Sequence, residues 1–309
     1  MQGIVNEQGN FIRRGPVPTF SDLSVISLSL VSEAMGIDSE NFLFGKLHAE
    51  YSQDFPNLIE RSQYNKRRKK LAGRIEELRQ RLRDEMIPYE DAFVVDSMPM
   101  EVCKLCRSNR AKICRESFET APDKGYCASQ NMYFYGYKLH ALISMDGVFQ
   151  SVDITKASVH DIQYLQDVKQ EINDCLLPGD KGYLCYQTQL DLFTDAGIEL
   201  QTPMRKNQKN YVQQPYVFRK VRKRIETSFS QLCDQFMIRR NYAKSFTGFA
   251  SRVLAKVTSL SLLQYLNKFY SGKPINNLKY ALYSVSYTHL VQHERLYLCA
   301  RLRPISQGA

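Results

Sequence analysis

Two apolar runs joined by a tight turn constrain the fold of this chain most. Both are rich in aromatic and β-branched residues, and they are YFYGYKLHALIS (133–144) and VFQSVDIT (148–155). The turn between them is Met145-Asp146-Gly147, and Asp-Gly is a favoured turn sequence because glycine readily adopts positive φ. The sequence therefore predicts a β-hairpin, and with it an antiparallel sheet, near the middle of the chain.

Further runs on either side of this hairpin predict a mixed α/β fold. Strand-like segments are AFVVDS (92–97), CLLPGDKGY (175–183) and IELQTP (198–203). Helical periodicity separates the later segments, and a long helix is predicted from Tyr216 to Cys233. Three antiparallel strands followed by strands that alternate with helices give a mixed sheet flanked by helices.

The region before the sheet predicts helices. Ser21 suits the N-cap of a helix that ends near Gly36, and a long charged helix follows from Leu58 to Glu85. Its apolar stripe is narrow, so most of its surface is expected to be polar.

The charge of the chain points to a polyanion as partner. The 309 residues carry 42 Lys+Arg against 32 Asp+Glu, a formal net charge of +10. Nucleic acid is the first expectation, and an anionic membrane surface is the second. No apolar run approaches the roughly 18 residues of a transmembrane helix, and no signal-peptide pattern opens the chain, so a cytoplasmic protein is expected.

Two basic segments leave two interpretations open. The long helix carries an unbroken basic run from Lys66 to Lys70, which is either a solvated face or a contact with the DNA backbone. A later loop, with Arg205, Lys206 and Lys209 before Tyr211, is either solvated or a DNA contact through charge and stacking. The DNA-binding candidates in the helix are Lys66, Arg67 and Arg68.

Three acids lie where a sheet-based active site would place them. Asp96 follows the apolar run FVV, Asp180 lies in GDKGY after a later strand, and Glu226 lies in the last long helix. Two acids at adjacent strand ends repel each other, and a hard divalent cation removes that repulsion. The trio therefore predicts a site for one or two Mg²⁺ ions, with Mn²⁺ as a substitute, that suits phosphoryl transfer.

Basic side chains near these acids are candidate phosphate contacts. Arg219 and Arg222 share one helix face with Glu226, because the three are spaced at i, i+3 and i+7. Lys138 and His140 share a strand face, because they lie two residues apart. Together with Lys181, which follows Asp180, the DNA-binding candidates here are Lys138, His140, Lys181, Arg219 and Arg222.

The segment between the first two predicted strands is basic and contains cysteines. The spacing is C-x2-C-x7-C-x12-C, formed by Cys103, Cys106, Cys114 and Cys127, and the first pair suits a zinc knuckle. A basic DNA-contacting loop explains the segment without a metal, so zinc is the less favoured alternative. Its candidate DNA contacts are Lys104, Arg107 and Arg110.

Five motifs occur in an order that resembles a known family. They are FVVDS (93–97), YGYKLH (135–140), ITKASVHD (154–161), PGDKGY (178–183) and RKRIETSFSQL (222–232). As an ordered set they resemble the DDE transposases of bacterial insertion sequences. Two further segments are similar to the insertion-sequence family numbered nine hundred and eighty-two, namely FPNLIERSQYNKRRKKL (55–71) and MPMEVCKLCRSNRAKICRE (98–116).

The resemblance implies a ribonuclease-H-like α/β fold and Mg²⁺-dependent nicking of DNA followed by strand transfer. By motif, Asp96, Asp180 and Glu226 match the three catalytic, metal-binding acids of the family. The implied partners are double-stranded DNA, as terminal inverted repeats and as target, and further copies of the chain in a homo-oligomer that associates with the nucleoid when bound. We divide the chain into a helical N-terminal DNA-binding region (1–90), a catalytic domain (91–272) with a basic insertion (98–131), and a tail (273–309). The tail is hypothesised to be foreign or out-of-frame sequence.

The five ordered motifs of the resemblance all lie in the second of these regions, residues 91–272. Related insertion-sequence transposases carry Tyr-x2-Arg-x3-Glu-x6-Lys around the third acid, and this chain differs from that signature at two positions. Arg222 and Glu226 fit, but Arg219 stands at the tyrosine position and Cys233 at the lysine position. The third acid therefore matches, whereas the roles of its flanking residues and a hairpin mechanism do not carry over.

Two other functions stay open from the sequence. One is a metal-dependent nuclease or resolvase on the same fold, which cuts DNA without joining it. The other is a non-catalytic DNA-binding protein. The three acids argue against the latter, because a protein that only binds DNA has no reason to gather negative charge inside a basic surface.

Overall fold

The structure is a computed structural model that describes residues 5–204, 211–213 and 215–279. The chain forms two compact units. A sheet unit contains residues 82–234 and 243–250, and a helical unit combines residues up to 81 with residues 235–242 and those from 251 onward. The predicted loop residues Arg205, Lys206 and Lys209, and the predicted tail beyond residue 279, lie outside the described residues.

The sheet unit is a mixed α/β structure around four antiparallel strands. The strands are β1 (Phe93–Cys103), β2 (Asp123–Cys127), β3 (Met132–Ser144) and β4 (Phe149–Lys156). The central strand is β3, which pairs with β1 along one edge and with both β2 and β4 along the other. The second half of β3 is buried on both faces from Leu139 to Ser144, as expected for a central strand.

The predicted hairpin is confirmed. Strands β3 and β4 pair antiparallel, and Ile143 lies opposite Phe149 across the turn. Gly147 in that turn has a φ of +88°, a conformation that glycine adopts without steric cost. The Asp-Gly signal therefore predicted both the turn and the pairing of the strands on either side of it.

Strand β2 and the second half of β1 were not predicted. The first five residues of β3 (132–136) extend past the end of β4, so their backbone groups need another partner on that edge. β2 supplies it, with Asp123 opposite Gly136 and Cys127 opposite Met132. The cysteine-containing segment thus holds a strand and a 3-10 turn (Leu105–Arg110), where a loop was expected.

Short parallel strands and three helices complete the sheet unit. They are α5 (Leu165–Glu171), β5 (Leu176–Pro178), α6 (Tyr186–Ala196), β6 (Glu199–Gln201) and α7 (Tyr216–Asp234). Strand β5 pairs in parallel with β6, and Leu176 forms a parallel bridge to Ala92, just before β1. The predicted long helix from Tyr216 is confirmed as α7, and it packs against β1 and β5.

The remaining helices are α1 (Asp22–Ala34), α2 (Glu40–Glu50), α3 (Arg61–Lys70), α4 (Ala72–Met86) and α8 (Phe246–Leu266). The predicted N-cap of α1 is confirmed, because the Ser21 hydroxyl accepts a hydrogen bond from the Ser24 backbone N–H. The long charged helix expected from residue 58 to 85 is instead two helices, which meet at Leu71. No helix of the described residues is both long and apolar enough to cross a membrane.

A buried charge cluster ties the helical unit together. Glu33 of α1 forms ion pairs with Arg68 of α3 and with Arg252 and Lys256 of α8, and all four side chains are almost inaccessible to solvent. Burial alone would raise the pKa of Glu33, but the three cations, Lys256 foremost, lower it overall. The cluster joins segments that are more than 200 residues apart in the chain.

Candidate active site

Two of the three predicted acids are brought together by the parallel register of β1 and β5. Ala92 bridges Leu176, and Asp96 and Asp180 each lie four residues beyond that bridge. Because parallel strands advance at the same rate, the two acids reach the same level of the sheet. The strand β5 ends at Pro178, and Asp180 opens the 3-10 turn that follows.

The electrostatics of Asp96 reflect this placement. Burial, the largest cause, raises the pKa of its carboxyl to about 7. The negative charges of Asp180 and Asp161 add to that rise, whereas the Ser97 backbone N–H, which donates to Asp96 Oδ1 at 2.8 Å, opposes it. A carboxyl with these neighbours is ready to accept a cation, because a cation offsets both burial and repulsion.

Helix α7 adds a positive charge to the acid pair. Arg222 Nη2 lies 3.0 Å from Asp180 Oδ1, and its charge also lowers the pKa of Asp96. Arg222, predicted as a phosphate contact, is therefore placed at the acids by the packing of α7 against β1 and β5. Its guanidinium neutralises part of the charge that the two carboxylates concentrate.

The third predicted acid is not part of this contact group. Glu226 is exposed on α7, one turn beyond Arg222. Within the part of the chain that the structure describes, no group of three or more His, Cys, Asp or Glu side chains is arranged to hold a metal ion. The structure thus brings together the pair Asp96 and Asp180, and the role of Glu226 stays a prediction.

The acid pair suits a divalent cation. Two carboxylates repel each other, one of them is desolvated, and both offer hard oxygen donors. Magnesium is commonly bound by one or two carboxylates, with water and substrate phosphate oxygens in its remaining positions. Two protein ligands are therefore enough for the residues present to fit such an ion.

Asp161 is a charged residue of this site that the sequence did not single out. Its Oδ1 accepts hydrogen bonds from Lys138 Nζ at 3.0 Å and from Ser97 Oγ at 3.1 Å. Its charge also raises the pKa of Asp96. One signal could have found it, because Asp161 ends ITKASVHD, one of the five motifs that carry the resemblance.

Tyr183 is buried beside the same carboxylates. Its hydroxyl has no hydrogen-bond partner among the described residues. Burial first, and then the charges of Asp96, Asp161 and Asp180, raise the pKa of this hydroxyl, so it stays protonated. A buried, protonated hydroxyl without a partner is a donor available to the site.

Lys138 and His140 are less open to DNA than the sequence suggested. Lys138 Nζ is held by Asp161 and by the Val159 backbone oxygen at 2.9 Å. His140 is fully buried, where its Nε2 lies 2.8 Å from Thr155 Oγ1 and its ring stacks on Tyr164. Burial lowers the pKa of His140 to about 4, so its ring is neutral at physiological pH, and its placement gives no support to a phosphate contact.

The predicted basic run of α3 splits between core and surface. Arg68 is buried and pairs with Glu33 and Glu40, while Arg67 pairs with Asp22. Lys66 is exposed. The run is therefore neither a wholly solvated face nor a uniform DNA contact, because successive helix residues point in different directions.

The other basic candidates are at the surface. Arg219 lies near the ring of Tyr216, at 5.8 Å. The remaining exposed candidates are Lys104, Arg107, Arg110 and Lys181. The cysteines of the basic segment, which are Cys103, Cys106, Cys114 and Cys127, are free thiols in this structure.

Comparison with known families shows which family the chain belongs to. A family model described as the transposase DDE domain matches residues 89–245, just over half of the chain. The chain belongs to the transposase DDE domain family. No curated protein and no solved structure matches this transposase. The matched segment contains every strand of the sheet unit, the acid pair and all of α7, so the family covers the whole candidate site.

Proposed function

We propose that this transposase cleaves DNA at the ends of an insertion sequence and joins the freed ends to target DNA. The observation that carries the proposal is the placement of Asp96 beside Asp180, where burial and repulsion raise the pKa of Asp96 to about 7. A protein that handles a polyanion gains nothing from such a pair unless a cation is bound there. Family membership supports transposition as the purpose of that chemistry.

The finer assignment follows the sequence resemblance. We take the sheet unit to be a ribonuclease-H-like core and the chain to be similar to the insertion-sequence family numbered nine hundred and eighty-two. Its DNA partners are the terminal inverted repeats and a target duplex. Because two ends must be held together for joining, we take the active species to be a homo-oligomer on DNA.

Asp96 and Asp180 are the residues that would hold Mg²⁺, or Mn²⁺ in its place. When bound, the ion supplies activation of the attacking oxygen and stabilisation of the leaving oxygen. Glu226 shares its helix face with Arg222, which contacts Asp180, and we propose it as a third oxygen donor once DNA is bound. Arg222 and Lys181 orient phosphates of the end being cut.

The reaction has two balanced steps. Water attacks the phosphodiester at the transposon end, so that a P–O bond forms to the water oxygen as the P–O bond to the 3′ oxygen breaks. The 3′ oxygen takes up a proton and becomes a 3′-hydroxyl, and the phosphate stays on the 5′ end of the flanking strand. This hydroxyl then attacks a phosphodiester of the target, so that its oxygen forms a new P–O bond as the bond to the target strand's 3′ oxygen breaks. That target oxygen leaves as a 3′-hydroxyl, and the attacking hydroxyl loses its proton. Neither step needs a covalent link between protein and DNA.

The test is an assay with Mg²⁺, a labelled inverted-repeat end and a target plasmid. Asp96→Asn and Asp180→Asn should each lower end cleavage by more than the roughly 10–100-fold that loss of an outer-shell group of a metal site costs. Asp195→Asn is the matched control, because Asp195 lies in an exposed ion pair with Lys169. Full activity of Asp96→Asn would show that the site is wrong, and cleavage without joined product would favour a nuclease or resolvase.

A further inference from the structure

Two exposed tyrosines face each other on the hairpin formed by β2 and β3. Tyr126 and Tyr133 are directly opposite in the register of the two strands, and their ring centroids are 5.0 Å apart. Tyr126 is 47% exposed and Tyr133 is 65% exposed. Large aromatic rings are usually covered, so an exposed pair in contact suggests a binding surface.

The pair is held in place by the end of the hairpin. The Tyr126 hydroxyl donates to Asn131 Oδ1 at 2.6 Å. Asn131 has a φ of +50° in the loop that joins β2 to β3, a conformation that asparagine tolerates better than most residues. Tyr126 is therefore fixed at its outer end, which leaves its ring face available without a large loss of side-chain entropy on binding.

Cations lie on the same face of the hairpin as the tyrosines. Lys124 shares a strand face with Tyr126, and it lies opposite Tyr135, which shares a face with Tyr133. The Arg115 guanidinium lies over the Tyr135 ring at 5.7 Å and donates to the Tyr135 hydroxyl. Alternation places the carboxylate of Asp123, the neighbour of Lys124, on the opposite face.

A further basic segment adjoins this face. Arg115 also donates to the Ser108 backbone oxygen, in the 3-10 turn that carries the exposed side chains of Arg107 and Arg110. The surface therefore combines two exposed aromatic rings in tilted contact with positive charges along one side. We call Lys124, Tyr126, Tyr133 and Arg115 the tyrosine face.

This combination fits one class of partner. In a duplex the base faces are stacked on each other, so exposed aromatic rings can stack only on unpaired bases. Flanking cations attract the phosphates of the same strand, whereas a purely apolar protein partner would leave those charges without a role. We infer that the tyrosine face binds an unpaired segment of single-stranded DNA, with bases on Tyr126 and Tyr133 and phosphates at Lys124 and Arg115.

The inference rests on the proposed function in one respect, because cleavage at a transposon end supplies the unpaired strand. Binding itself needs no catalysis. It is therefore measured with the full chain carrying Asp96→Asn, so that the probe is not cut. Failure of single-strand binding while the natural chain still cleaves ends would overturn only this inference.

The chain contains no tryptophan, which allows a local fluorescent probe. Tyr133→Trp places a single indole on the tyrosine face. Tyr89→Trp is the control, since Tyr89 is 94% exposed in the same sheet unit and is followed by two acids. The probes are an oligothymidylate and a blunt duplex of equal length.

We expect oligothymidylate to quench the emission of Tyr133→Trp and to leave that of Tyr89→Trp unchanged. The blunt duplex should quench Tyr133→Trp far less. Equal quenching by both nucleic acids, or none by the single strand, would overturn the inference. Loss of binding in Tyr126→Ala/Tyr133→Ala by roughly 10-fold or more, with rescue in Tyr126→Phe/Tyr133→Phe, would separate stacking from a folding defect.

The contribution of the cations to binding is tested by measuring how the affinity for single-stranded DNA depends on salt concentration. Lys124→Gln should weaken single-strand binding and reduce the slope of log affinity against log salt by about 1, since one phosphate contact is lost. Lys112→Gln is the control in the same basic segment, because Lys112 is exposed and is not part of the tyrosine face. An unchanged slope for Lys124→Gln would show that the charges of this face do not meet phosphates.

Discussion

Burial and neighbouring charge both act on the carboxyl of Asp96. It lies beside Asp180, and loss of solvent raises the pKa of its carboxyl to about 7. Near neutral pH a large fraction of the folded protein therefore holds a proton there that an exposed aspartate has lost. The same surroundings that disfavour the bare charge favour a bound cation.

We predict that Asp96→Asn removes a fall in stability with rising pH. In the folded protein the pKa of Asp96 is raised from its ordinary value of 3.8 to about 7. Between these values the folded state binds more protons than the unfolded state, so the free energy of unfolding falls as pH rises. Urea unfolding without divalent ions measures the effect, as a gain of the variant over the natural chain that grows across this window.

His140 contributes a pH dependence of stability with the opposite sign, but it does not affect the comparison of the Asp96→Asn variant with the natural chain. Burial lowers the pKa of His140 from 6.5 to about 4, so its contribution to stability is lost as pH falls through that window. Both proteins contain His140, and its effect cancels in their difference. A difference between the two proteins that stays constant with pH would contradict the raised pKa of Asp96.

Burial dominates the pKa of Asp96, and Arg222 is the neighbouring side chain that opposes the rise. Its positive charge lowers the pKa of Asp96, so Arg222→Gln should raise that pKa further. If the ionised carboxylate is the active form, the pH of half-maximal end cleavage moves upward. Arg219→Gln is the control, because Arg219 lies on the same helix but near the ring of Tyr216. A pH profile that shifts equally in both variants would point to a general loss of charge instead.

At the scale of elements, β3 organises the sheet unit. It is the only described strand that pairs with three others, so β1, β2 and β4 all depend on its geometry. Gly136 lies on β3 where β1 and β2 approach from the two sides. A Cβ there would lie only 2.1 Å from the Met100 backbone oxygen.

Gly136→Ala is therefore expected to destabilise the protein by about 1–3 kcal/mol or more, because backbone must move to relieve the overlap. Gly45→Ala is the control, since a Cβ at Gly45 meets nothing within 4 Å and Gly45 lies inside α2. Alanine there should stabilise by about 1 kcal/mol through helix propensity. Thermal unfolding of both variants checks the pair, and an unperturbed Gly136→Ala would show that β1 can move aside freely.

Elements with local signals were predictable from the sequence, and those set by distant partners were not. Neighbouring residues determine the Asp-Gly turn, the Ser21 cap and the start of α7. Strand β2 forms because β3 extends past the end of β4 and needs a partner there. No local sequence pattern shows that need. The same reasoning applies at the site, where strand-end acids were visible but the contacts of Asp161 depend on side chains from two other segments.

At the scale of the whole molecule, the helical unit is discontinuous in sequence. Glu33, in the first helix of this unit, pairs with Arg252 and Lys256 of α8. Charge spacing along the first 90 residues could not reveal this, because the partners of the buried acid lie more than 200 residues away. The basic run of α3 was hard to interpret for the same reason, because Arg68 forms an ion pair with Glu33 in that cluster.

Glu33→Gln is expected to destabilise the protein by about 3–5 kcal/mol, because it leaves buried cations without their carboxylate. Glu50→Gln is the control, since Glu50 forms an exposed pair with Lys46 on α2 and should cost less than about 1 kcal/mol. Urea unfolding measures both. An equal effect of the two substitutions would show that water reaches the Glu33 cluster.

The partners of Glu33 also bear on how the protein is made. When a ribosome has translated α1 to α4, it has not yet made Arg252 and Lys256, so the charge cluster has no counterparts on the nascent chain. The helical unit can finish folding only after α8 has left the exit tunnel. Truncated mRNAs that end before the codons of α8 would therefore yield polypeptides without a completed helical unit, whatever their N-terminal sequence.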